Sequence, residues 1–478
     1  MKVKKLDTFL QTAASIPNSV PANSGDPGSI LAPRLDEGAV DWWAAGRVSA
    51  WKQFQSLPMP RRKDEDWRFA NVKALHVDGL HPAETLDPAV ARQAALDSSL
   101  AFPLLAKAVF ANDSAVEFQP LPEELQRKGV IWESLETAVQ KHGDLVRKHF
   151  MASEFPLGSA KFAALHRTWC RAGSVLVIPK NVHIELPIGT FHYLAGEQAA
   201  LFPHTLIIAG ENSSATFVDF FGSLDSSAGF VCGINDMILS PGAKVDYLSV
   251  QNWNENTQAF HLNSTMVDRD AAGKYLNVHL GGGFIRTESH SRLTGQGARS
   301  DMLALAVGHA RQELDFRTLQ THAAPNTTSD LLYKNTLNHR SKAIFQGLIR
   351  VDPGAHGTDA YQTNRNLLLD PNAEADSMPG LEILNDDVKC SHGSTTGQID
   401  PSEMFYMLSR GLNPNQARHL IAIGFFEEVL ERFGHADISA DLRSRIEDKF
   451  IRSNKIRMES AAEAQVDLTH VRGLQGTE

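Results

Sequence analysis

Cys390 and His392 are the residues whose types and spacing could do chemistry; they lie in the run Leu381-Glu-Ile-Leu-Asn-Asp-Asp-Val-Lys-Cys-Ser-His-Gly393. Side chains alternate along a strand, so an unbroken strand would turn positions 388, 390 and 392 to one face and Lys389 and Ser391 to the other. A thiolate beside an imidazole is a good ligand pair for iron or an iron–sulfur cluster. Two donors do not close a site that takes four, so the remainder would come from distant residues or another chain. On the residues alone, a buried cysteine beside a hydrogen-bonded histidine is the commoner origin of Cys-x-His, and both readings stay open. The other two cysteines, Cys170 and Cys232, read as packed core thiols. The remaining histidines are scattered, and none forms a His-Glu-x-x-His pattern.

Several other chemistries have no residues to carry them. The chain has no G-x-x-x-x-G-K-[ST] loop for nucleotide phosphates, no G-x-S-x-G elbow and no C-x-x-C pair. Gly281-Gly-Gly283 lies between strand-like runs and lacks the strand–turn–helix context of a dinucleotide site.

The elements that must position Cys390 change character along the chain. Residues 16–34 are rich in Pro, Ser, Asn and Gly and read as a flexible linker. Val40, Trp43, Ala44, Val48, Trp51 and Phe54 recur at helical steps, and residues 1–165 are expected to form a mainly helical N-terminal region. From 166 to 399 short β-type runs return between Gly-containing turns such as Ser240-Pro-Gly-Ala-Lys244 and Gly295-Gln-Gly-Ala-Arg299. The turns recur roughly every 20–30 residues, which favours stacked coils of a parallel β-helix over a sandwich. Residues 400–478 are expected to be a helical domain. Asp400-Pro-Ser-Glu403 and Asn413-Pro-Asn-Gln416 both read as helix starts. The second of these helices carries two apolar stripes: Ala417, Leu420, Ile421, Phe425 and Val429 on one side, Ile423, Phe426, Leu430 and Phe433 nearly opposite. A surface helix needs one stripe, so either it is sandwiched in its own domain or one stripe serves a partner.

Composition sets the outer bounds. The 478 residues are 42% hydrophobic and 21% charged, ordinary for a globular protein, and the net charge of −10 disfavours nucleic acid and an anionic membrane as partners. Three cysteines imply no disulfide framework, and the N-terminus makes a poor leader, so a reducing cytoplasmic setting is expected.

A set of ordered words then resembles one family. They are Lys342-Ala-Ile-Phe-Gln-Gly347, Asn366-Leu-Leu-Leu-Asp370, Pro379-Gly-Leu-Glu-Ile383 and Asp386-Asp-Val-Lys-Cys-Ser-His-Gly393, followed by Thr396-Gly-Gln-Ile-Asp400, Phe405-Tyr-Met-Leu-Ser-Arg-Gly411 and Gly424-Phe-Phe-Glu-Glu-Val429. Together they resemble the SufB/SufD family of iron–sulfur cluster assembly scaffolds. A fainter match runs upstream through Gly282-Gly-Phe-Ile-Arg286, and Asp64-Glu-Asp-Trp-Arg-Phe69 looks like the family's N-terminal signature. Asp-Asp-Val-Lys-Cys-Ser-His-Gly is similar to the SufD branch, where SufB usually has Glu-His-Glu-Ala. Asn364 stands where SufB carries a cysteine.

The resemblance implies a right-handed parallel β-helix between helical ends, and a non-catalytic scaffold in a SufBCD complex. SufB would pair through the β-helix ends, the SufC ATPase would bind the C-terminal helices, and a cysteine desulfurase system would act indirectly. It implies that Cys390 and His392 face a transient cluster shared with SufB, with none held stably by this chain alone; a role for reduced flavin stays open. It makes Phe405, Tyr406, Arg410, Ile423, Phe426 and Leu430 the expected SufC surface. Two alternatives are a SufB-like scaffold working without a paralogue and, more remotely, a β-helix carbohydrate-active enzyme. The acidic residues Asp315, Asp359 and Glu382 are too scattered to favour the latter.

Overall fold

A computed structural model describes residues 40–453; the expected linker 16–34 and the tail after 453 lie outside the described residues. From Gly173 to Gln398 the chain is strand and turn, wound into a parallel β-helix whose coils deliver one strand to each of two sheets. The first sheet ends with Glu313–His322, Lys342–Val351 and Glu374–Ile383, and the second with Thr328–Leu337, Thr358–Leu368 and Val388–Gln398. Neighbouring strands are parallel and in continuous register along these runs, as in Leu314↔Ala343 and Ala360↔Cys390.

One corner shows why the sequence folds this way. Asn212, Gly242, Asp270, Gly297, Asn326 and Gly357 all adopt positive φ, spaced about 30 residues apart. Only Gly, Asn and Asp visit that region readily, which fixes the residue types at the turn. Each donates its backbone N–H to the next coil, as Asn212 does to Pro241 O at 2.9 Å and Gly242 to Arg269 O at 2.8 Å. The alternation of side chain and glycine has a steric cause. A Cβ on Gly242 would lie 2.2 Å from Asn212 Oδ1, and one on Gly297 2.4 Å from Asp270 Oδ1.

Apolar residues occupy both faces of the sheets. Inside the coil Phe217, Tyr247, Phe316, Tyr333 and Phe345 belong to one buried cluster, with Phe217 stacked on Tyr247 at 6.3 Å. The outer face of the first sheet, including Leu206, Phe230, Phe260 and Phe284, is covered by N-terminal elements. Helix α1 (Asp41–Ser56) packs on helix α2 (Ala160–Trp169), which lies against Gly229–Leu239. The outer face of the second sheet is covered from the other end of the chain. Helix α3 (Pro401–Ser409) leads into helix α4 (Pro414–Phe433), and helix α5 spans residues 436–453. Phe426, Phe433, Leu442 and Phe450 pack there with Leu276, Leu303 and Leu332.

The N-terminal region is less helical than its periodicity suggests. Ala106–Ala111 and Ser114–Phe118 extend the second sheet and Ile131–Ser134 extends the first, the last two antiparallel to their neighbours. They close that end of the β-helix. The Asp64–Phe69 segment is latched onto the first sheet by two buried guanidiniums: Arg286 donates to Asp66 O at 2.9 Å and Arg317 to Arg68 O at 3.1 Å. Arg286 also stacks on the Trp67 ring, 3.8 Å from its centroid. Among the described residues no helix is long and apolar enough to cross a membrane.

Candidate functional site

Among the described residues the opposite end of the β-helix has no such closure. Glu374–Ile383 and Val388–Gln398 are the last strands of their sheets, each paired on one side only, with their other backbone edges unmatched. Inward and outward faces of this rim follow from its hydrogen bonds. Asn364 reaches across the lumen to donate to Ser377 Oγ of the first sheet at 2.7 Å, and on the same face of the second sheet a ladder runs from Asn335 to Asn366 Oδ1 at 2.8 Å and from Asn366 to Thr396 Oγ1 at 3.1 Å. Even-numbered positions of Val388–Gln398 therefore point into the coil, which sets Cys390 and His392 on the lumenal face of the final turn. Their Cα atoms are about 7 Å apart at strand spacing.

The two groups have different surroundings. Cys390 is half-buried against Ile349, Val351, Ala355 and Ala360, at the floor of the open end. Burial, with the nearby Asp359 carboxylate, raises its pKa, so it rests as a thiol and binding a cation would release its proton. His392 is exposed at the mouth. Leu381, Ile383 and Leu384 complete an apolar rim at 37–47% exposure. Among the described residues no third His, Cys, Asp or Glu donor joins Cys390 and His392. The arrangement can hold part of a coordination shell and can lengthen both sheets by accepting a second set of strands.

The C-terminal helices present a second surface, and here one expectation is corrected. Phe426 and Leu430 are fully buried against the outer face of the second sheet, so they anchor α4 and cannot meet a partner; Ile423 is half-buried beside them. The buried face comprises Ala417, Ala422, Phe426, Val429, Leu430 and Phe433, drawing on both apolar stripes. The lysine and arginine ring around it, Lys334 to Phe425 O at 2.8 Å and Arg432 to Asp330 at 2.9 Å, fixes the helix on that face. Phe405 and Tyr406 on α3 are 73% and 56% exposed, and Arg410 stacks on the Tyr406 ring at 5.1 Å. Leu408 and Leu420 extend the same exposed apolar character.

Residues 192–425 match the family model for the SufBD core domain of SUF-system FeS cluster assembly, and residues 32–189 match the SufBD protein N-terminal region. The chain is similar to the iron–sulfur cluster assembly protein SufD of Bacillus subtilis, 29% identical over 419 residues, covering 85% of this chain and 94% of that one. It is also similar to an iron–sulfur cluster assembly SufBD family protein of Staphylococcus epidermidis, 26% identical over 81% of this chain and 84% of the relative. A SufBD family protein of Staphylococcus aureus is 28% identical over 66% of this chain and 68% of its own length.

Proposed function

This chain belongs to the SufBD family of iron–sulfur cluster assembly proteins, and from that premise we propose that it works as a SufD-type scaffold subunit without a reaction centre of its own. The observation that carries the reading is the asymmetry of the β-helix: one end closed by antiparallel strands, the other an open rim bearing Cys390 and His392. The partner at that rim is SufB, whose own strands would continue both sheets and whose donors would complete the shell around a nascent cluster. The cluster is cargo, assembled at the junction and passed on. The SufC ATPase docks on α3, through Phe405, Tyr406 and Arg410, with Leu408 and Leu420 at its edge. ATP-driven movement of SufC would then be transmitted through α3 and α4 to the second sheet, because α4 is pinned to the coils that carry the rim.

The test is co-expression with a SufB and a SufC. Cys390→Ala with His392→Ala should leave the three-protein complex intact and lower cluster loading at least several-fold. Unchanged loading would remove the two residues from the shell. A stable cluster on this chain purified alone would favour a self-sufficient SufB-like scaffold instead.

A further inference from the structure

Far from the rim, where α2 meets the first sheet, three donor atoms converge. His166 lies in the last turn of α2 and Cys170 caps its C-terminus, donating its backbone N–H to His166 O at 2.7 Å. His204 begins the strand His204–Ala209 beneath them. The imidazole nitrogens and the thiol lie within 4.8 Å of one another, and all three residues are buried. His166 Nε2 and His204 Nδ1 are 3.1 Å apart, close to the roughly 3.3 Å between two nitrogens each about 2.0–2.1 Å from one tetrahedral ion.

The far side of each ring is already held. His166 Nδ1 is 2.7 Å from the Cys232 carbonyl oxygen, which can only accept, so this nitrogen carries the proton and Nε2 presents its lone pair to the cluster. His204 Nε2 faces Asp236 Oδ2 at 3.5 Å, and the same oxygen accepts the Met151 N–H at 2.6 Å. If the two rings hydrogen-bond directly, His204 spends its proton on His166, and its buried Nε2 faces only the Asp236 carboxyl, with no hydrogen bond formed. A cation between the rings removes that conflict. Both inner nitrogens become ligands and His204 Nε2–H donates to the Asp236 carboxylate. A carbonyl behind one imidazole and a carboxylate behind the other are the outer partners that orient metal-bound histidines.

We propose that His166, Cys170 and His204 supply three of the four ligands of a thiophilic divalent cation, Zn2+ in the first instance, that clasps α2 to the first sheet and leaves its fourth position to a small exogenous ligand. On binding, the Cys170 S–H bond is replaced by an S–Zn bond and the proton is released to solvent as the chain folds around the ion. The clasp is independent of the cluster-scaffold reading and uses none of its residues.

The experiment uses the full chain carrying Cys390→Ala and His392→Ala, so that rim donors cannot account for bound metal. Elemental analysis after chelator-free purification should find about one zinc per chain. Adding Cys170→Ser or His204→Gln should cut that more than tenfold while far-ultraviolet circular dichroism is unchanged. Refolding the parent with Co2+ should give a thiolate-to-cobalt charge-transfer band, lost with Cys170→Ser. If neither variant folds, the Co2+ spectrum of the parent decides: the band supports the site and its absence removes it. No zinc after refolding in excess Zn2+, or a stoichiometry indifferent to both substitutions, overturns the proposal.

Discussion

At the scale of single residues, two buried arginines matter as much as the donors at the rim. Arg286 pairs with Glu288 at 2.8 Å and Asp315 at 2.5 Å, and the three side chains are 0–3% exposed. Removing one member of such a buried group leaves charge without compensation, which costs about 3–5 kcal/mol. Arg286→Ala should therefore lower the denaturant midpoint and free the Asp64–Phe69 segment, read as new protease cleavage near Trp67. A midpoint within error of wild type would refute this. The Asp-Glu-Asp-Trp-Arg-Phe signature was legible as a family word, but its role was not, because the arginines it meets lie more than 200 residues downstream. Cys390 and His392 could be placed on one face because a strand has a period of two. His166 and Cys170 also follow a simple period, four along a helix, but one such pair is too common a spacing to signal a site. His204 could not have been added to them without the fold, since it sits on a different element.

At the scale of elements, the two apolar stripes of α4 left open a sandwiched helix or a partner surface. The structure shows the first: the helix is sunk between the second sheet and α5, and one broad face takes residues from both stripes. Phe426→Asp would bury a charge in that face and should cost at least about 3–5 kcal/mol, seen as loss of the folded C-terminal helices. Phe405→Asp on α3 should leave the denaturant midpoint unchanged and abolish co-purification of SufC. Retention of SufC at the wild-type level would count against docking on α3. The start of α4 was readable in full: Asn413 accepts from Gln416 N at 3.0 Å and Gln416 returns the bond to Asn413 N at 3.0 Å. Asn413→Ala should destabilise by about 1 kcal/mol, measurable as a shift in thermal midpoint. The coils were legible through their corner residues, whereas the closing strands near Ala106 and Ile131 were not. They are short, and their partners are set by tertiary pairing.

At the scale of the whole molecule, the buried imidazoles set the response to acid. Burial pushes His192 and His279 down to about 3, and His261, His290 and His322 down to about 4. In the unfolded chain each takes up a proton below about 6.5, so folding loses stability as pH falls from 6.5 toward 4. Asp219, raised to about 6, and Asp236 and Glu313, both raised to about 7, act in the opposite sense, because the folded form binds their protons first. The imidazoles outnumber them. Guanidinium midpoints should fall between pH 6.5 and 4.5, by about 1.4 kcal/mol per pH unit for each net proton. A midpoint that rises over this range would contradict the assignment.

The unequal ends of the β-helix also fix a valence. A solenoid open at both ends is bifunctional and grows, given a matching edge, into a fibre of indefinite length. Here Leu121, Val130 and Trp132 plug the lumen at one end, behind Ser114–Phe118 and Ile131–Ser134, so on the proposed reading only the rim is left to be joined. Like a chain terminator in a polymerisation, the molecule would be joined once.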